Sequence, residues 1–270
     1  MTSKLIPVAA AVVLVCGIVS RASAADGIQL TQTRTSGTTI QTIRIQLDNT
    51  HMRTEITDAA GKSQIVLFDG ANQVLDIIDM EKKTYSEMTK ADLDRMAGQM
   101  QGMMATMQQQ LANMPPAQRA QMEAMMSGRM AGAAAPAKPV YKRNGTEKVG
   151  RWTCDKYDGY TDTEKTSEVC TVPPSALGFG TTDLDVTRQL AEFYSKLLPQ
   201  AADQITSVGR LEEQGFAGFP VRRISAIGPR QTTTEVTEAG RVALAASVFA
   251  LPAGLTKQES PLAASGRRGR

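Results

Sequence analysis

The chain has little of what most chemistries require. A single histidine, His51, stands among 270 residues, which excludes any mechanism built on two imidazoles. Twelve aromatic residues (6 Phe, 5 Tyr, 1 Trp) and a formal net charge of +3 are too few rings and too little positive charge for a protein that tracks a nucleic-acid backbone and stacks bases. There is no G-x-S-x-G elbow, no G-x-x-x-x-G-K-[ST] phosphate loop, no G-x-G-x-x-G and no H-E-x-x-H. The longest apolar run, 5–19, falls short of the roughly 20 residues that cross a bilayer. What remains, 41% hydrophobic and 21% charged residues, is the balance of a folded globular protein.

The first 24 residues carry Lys4, then that apolar run, then Ala22-Ser-Ala24, the signature of a cleavable secretory signal. Cleavage is expected after Ala24 and the mature chain is expected in the periplasm. Cys16 is not a lipid attachment site, because no small residue precedes it at Val13-Leu-Val15. Loss of the signal removes Lys4, Arg21 and Cys16, leaving 28 basic against 27 acidic side chains and two cysteines. In an oxidising compartment those two, Cys154 and Cys170, are expected to close. They flank the polar turn Asp162-Thr-Glu-Lys165, and a hairpin centred on Asp162 places them opposite each other. Without C-x-x-C spacing or further His and Cys ligands, a structural disulfide is favoured over redox or metal chemistry.

Period-two alternation, as in Ile43, Ile45 and Leu47 against Arg44, Gln46 and Asp48, predicts short antiparallel strands through residues 27–88. Eleven of the 14 methionines then crowd into residues 88–130. Thr89 and Asp92 predict a helix start, Pro115-Pro116 a break, and a second helix runs to about Met130. After the Ala/Pro-rich linker, Asn144-Gly145 predicts a tight hairpin turn. Residues 181–198 predict an amphipathic helix with Val186, Leu190, Phe193 and Leu197 on one face. Further strands are predicted at 219–227 and 232–236. The domain reading is a signal peptide (1–24), one discontinuous antiparallel β domain (25–88 and 139–257, with helix 181–198), a Met/Gln/Ala-rich helical insert and linker (89–138), and a disordered basic tail (258–270).

Four segments carry a resemblance: Met52-Arg-Thr-Glu55, Lys82-Lys-Thr-Tyr85, Gly145-Thr-Glu-Lys-Val-Gly-Arg-Trp-Thr-Cys-Asp-Lys-Tyr157 and Val248-Phe-Ala-Leu-Pro-Ala-Gly254. Together they resemble a family of uncharacterised bacterial envelope proteins whose expected architecture is similar to the LolA/LolB lipoprotein carriers. The resemblance covers roughly 27–88 and 140–257. It implies an α+β fold, a curved antiparallel β half-barrel wrapped around helices, with the Met-rich insert as a departure. No functional residue is established for that family, so none is carried over.

The positive signal is the methionine stripe. Met96, Met100, Met103, Met107, Leu111 and Met114 step by three and four along one helix face, and Met122 and Met126 repeat the spacing. Three readings stay open. The methionines pack the body, or they form an adaptable surface for an acyl chain or partner, or their thioethers hold Cu(I). His51 is expected to be an exposed strand-start residue rather than a base. The resulting expectation is a non-enzymatic periplasmic binding or carrier-like protein. It takes a hydrophobic ligand or an envelope partner in the concave face, with Met96, Met100, Met103, Met107, Met114, Met122 and Met126 as candidate contacts and the insert as lid or docking element. No cofactor, resident metal, nucleic acid or mature transmembrane segment is expected. A Cu(I)-binding protein and a purely structural envelope protein are the alternatives.

Overall fold

The computed structural model describes residues 24–115, 118, 139–180, 182–195, 214–225 and 231–259. The signal segment before Ala24, the second Met-rich helix with Met122 and Met126, the end of helix 181–198 and the tail beyond residue 259 lie outside the described residues.

Six strands come first: β1 (Ala24–Ser36), β2 (Thr39–Leu47), β3 (His51–Asp58), β4 (Ser63–Asp69), β5 (Val74–Asp79) and β6 (Thr84–Thr89). Each pairs antiparallel with the next through a tight connection. Helix α1 (Lys90–Ala112) follows, capped as its sequence implies: Asp92 N–H donates to Thr89 Oγ1, and Thr89 N–H to Asp92 Oδ2 at 3.1 Å. A second antiparallel set, β7 (Val140–Val149), β8 (Trp152–Thr161) and β9 (Glu164–Val172), leads through a 3₁₀ turn to helix α2 (Asp185–Ser195). Then come β10 (Phe219–Ser225), the long β11 (Thr232–Ala245) and β12 (Thr256–Gln258). All twelve form one open, curved sheet in the order β12-β6-β5-β4-β3-β2-β1-β11-β10-β9-β8-β7, so β11 joins the two local sets by pairing with β1 and β10. The protein is thus mostly β with two described helices, compatible with an α+β half-barrel.

One sheet face holds the main core. Ile28, Leu30, Ile45, Leu47, Phe68 and Leu75 cluster there with Val186, Leu190 and Phe193 of α2, Leu184 just before it and Leu93 of α1. The Phe193 ring lies 5.5 Å from that of Phe68. Gly70 lies close under α2: a Cβ there would sit 1.9 Å from Gln189 Oε1, so the Gln189 side chain would have to move aside. Alternation sends Ile65, Leu67 and Ile78 to the opposite face, where Tyr85 and Leu255 cover them.

Three local expectations need correction. Asn144-Gly145 does not turn the chain. Gly145 uses its φ of +84° in a register shift between Arg143 and Thr146, Asn144 Nδ2 donates to Asp158 Oδ2 at 2.7 Å, and the hairpin turns instead at Gly150-Arg151. The disulfide between Cys154 and Cys170 forms, with Cα atoms 5.4 Å apart, but on the diagonal. Cys170 lies opposite Lys156, because the two-residue turn at Asp162-Thr163 and a register shift after Gly159 displace the hairpin centre. Finally, β11 runs nine residues past Val236, and β12 extends to Gln258 by pairing parallel with β6.

Candidate functional site

The methionine stripe divides along α1. Met96 packs against the main core beside buried Leu93. Further along, Met103 is 75% exposed, Met104 49% and Met107 37%. Met100 lies on the same helix, and Met114 is half-buried just beyond its end. From Ala97 to Ala112 the helix carries no charged side chain. Packing therefore accounts for the first turns, whereas Met103, Met104 and Met107 face outward and Leu111 and Met114 are half-buried again at the far end. Among the described residues no group of three His, Cys, Asp or Glu side chains is placed to hold a metal ion.

A second feature emerges on the sheet face opposite α2. After β11 the chain makes a 3₁₀ turn (Ala246–Phe249) and crosses that face to reach β6, where Thr256 N–H donates to the Lys83 carbonyl at 2.9 Å. Between this strap and the strands lies a cavity of about 530 Å³, lined by Leu67, Phe68, Val74, Leu244, Phe249 and Leu251, with Asp48, His51, Asp69, Asn72 and Asp76 as its polar groups. That volume is within the range of small-molecule sites.

His51 is the first residue of β3, as expected, but it is half-buried. Its ring stacks on Phe249 with centroids 5.3 Å apart, and Nδ1 lies 3.2 Å from both Asp48 carboxylate oxygens. A carboxylate only accepts, so Nδ1 is the donor in this pair. Burial opposes the Asp48 charge, but the amides of Thr50 and His51 and the imidazole outweigh it and hold its pKa below the ordinary value. Asp69 is likewise opposed by burial and brought below its ordinary value by the Asn72 amide and side chain, which donate at 2.9 and 2.7 Å.

Asp76 behaves differently. Burial, reinforced by Glu87 and partly offset by Lys257, pushes its pKa up to about 6. Its Oδ1 is buried and accepts no hydrogen bond. The Thr50 hydroxyl lies 2.9 Å from His51 Nδ1, so the imidazole, the Asp48 carboxylate and this hydroxyl form one local hydrogen-bonded group at the cavity edge. The chemistry on offer is apolar contact plus negative charge.

Sequence reasoning missed Asp48, Asp69, Asp76 and Phe249 as site residues. The signal for Asp76 lay in Val74-Leu-Asp-Ile-Ile78, an acid in the middle of an apolar strand. The others are joined by the strap, which no local pattern announces.

An open antiparallel sheet with helices on one face and a C-terminal strap on the other defines a β-rich single-sheet protein with room for a ligand. The chain belongs to the family described as a domain of unknown function (DUF4412), which matches residues 88–255 and so includes α1 and the strap but leaves β1–β5 outside. No curated protein matches it. Among solved structures it is similar to an uncharacterized conserved protein from Thermus thermophilus, at 7% identity and a TM-score of 0.44, covering 87% of this chain and 90% of that one. PNGF-II is similar at 8% identity and a TM-score of 0.33, covering 91% of this chain and 34% of that one.

Proposed function

We propose that the mature protein is a non-enzymatic binding protein of the periplasm that takes a hydrophobic ligand, an acyl chain or lipid, into the cavity under the strap. The observation that carries this reading is the cavity itself, a space of about 530 Å³ with the apolar side chains of Leu67, Val74, Leu244, Phe249 and Leu251 in its wall. It replaces the helix-bearing face as the binding surface, because the described part of that face is filled by Leu190 and Phe193 of α2 and Leu93 of α1. The outward, uncharged stretch of α1 serves as the docking element, its flexible thioethers suiting an apolar partner.

The test is titration with Nile red, a neutral apolar dye. The wild-type chain binds it, and Leu251→Glu, a change at a side chain already 40% exposed, weakens binding at least tenfold while thermal unfolding stays within a few degrees. Equal binding by Leu251→Glu and Phe249→Ala sinks the assignment. Replacing residues 99–138 by a Gly/Ser linker, which spares Leu93 and Met96, leaves dye binding intact and abolishes partner capture.

A further inference from the structure

The polar groups of the cavity are unequal. Asp48 and Asp69 are already held by local donors, and no lysine or arginine lines the space. Among these groups Asp76 is the one with a buried carboxylate oxygen, Oδ1, that accepts no hydrogen bond, and it stands in the wall beside Leu67, its neighbour across the β4–β5 pair, and Val74. The charged side chains near it are Glu87, opposite on β6, and Lys257 on β12, whose ammonium is already taken by Glu87 at 2.8 Å. A half-buried carboxylate left without a donor in an otherwise apolar wall is a charge awaiting a counter-charge.

We propose that the cavity selects amphiphilic organic cations, with a protonated amine set against Asp76 and the hydrocarbon laid along Leu67, Val74, Leu244, Phe249 and Leu251. This rests on the cavity being the ligand site, as argued above, and it adds the chemical class. The ammonium supplies the donor that Asp76 lacks and makes a charge-assisted hydrogen bond where water is partly excluded. An anionic chain meets three carboxylates with no lysine or arginine in the wall, so fatty acids are disfavoured rather than accepted.

Three probes of one chain length separate the possibilities: decylamine, decanol and decanoate, titrated calorimetrically into the mature full chain at pH 7.5. Decylamine binds at least tenfold tighter than decanol, and decanoate binds weakest. Asp76→Asn, its folding checked by thermal melt, removes the tenfold advantage and leaves decanol unchanged. Lowering the pH to 5, with Asp48, Asp69, Glu87, Lys257 and His51 as the other charged neighbours, reduces the advantage in the wild type but not in Asp76→Asn. Binding of decanol with no preference for decylamine overturns the cation assignment and leaves the binding function standing. An amine preference that survives in Asp76→Asn overturns the role of Asp76. Failure of all three probes overturns both.

Discussion

Breaking the Cys154–Cys170 bond is the perturbation whose size the structure defines best. The bond closes a ring over a sequence separation of 16 residues, and the chain-entropy relation for that separation gives about 3 kcal/mol at 25 °C. For a chain of this size each kcal/mol moves the melting temperature by about 2–4 °C, so reduction lowers it by roughly 6–12 °C. Both cysteines are almost fully buried, so Cys→Ala variants also lose packing, and the clean comparison is oxidised against reduced wild type. The assay is urea unfolding followed by far-UV circular dichroism, with and without a phosphine reductant, after equilibration through the unfolded state. The slope must stay constant for the midpoint shift to be read as stability. Coincident oxidised and reduced midpoints refute the reasoning, because the denatured chain then already holds the β8–β9 hairpin together and the ring removes no freedom.

Other outcomes follow from burial. Phe193→Ala empties the contact between α2 and Phe68 and costs about 3–5 kcal/mol; a loss below 1 kcal/mol in urea unfolding denies α2 its place in the core. Along α1, Leu93→Ala costs about 2–5 kcal/mol, whereas Met103→Gln or Met104→Gln shifts stability by no more than about 0.5 kcal/mol, and similar losses at both ends disprove the division of the helix. Asp76→Asn stabilises the unliganded protein at pH 7.5. The folded pKa of Asp76 is raised, so its penalty is absent below about pH 4, develops between pH 4 and about 6 and is full above; after discounting for half-exposure it is about 1 kcal/mol. Equal urea midpoints for wild type and variant at pH 7.5 contradict it.

The regular part of the fold was legible because strands with one buried face alternate. Ile43, Ile45 and Leu47 announce β2, and the i, i+4, i+7 spacing of Val186, Leu190 and Phe193 announces α2. Asn144-Gly145 misled because a positive φ serves a bulge as well as a turn, and only the partner strand decides between them. The methionine stripe was legible as a periodicity but silent on burial. A thioether is apolar enough to pack and flexible enough to stay exposed, and the structure uses it both ways on one helix. The cavity was illegible for a different reason. His51, Asp76 and Phe249 lie far apart in sequence and are brought together by a strap held at its end by three residues of parallel pairing.

The position of β1 sets the order of assembly. It is the earliest of the described strands, yet it sits inside the sheet, with β2 on one side and β11 on the other, and Ile28 pairs with Arg241 across most of the chain. Local hairpins form in microseconds, but a pairing at this separation is slow to find. Until residues 232–245 arrive, β1 presents one open edge thirteen residues long, with Ile28 and Leu30 on one face. A chain ending before that stretch has only the core around α2 to join its two sets of strands, and no backbone pairing to make them one sheet.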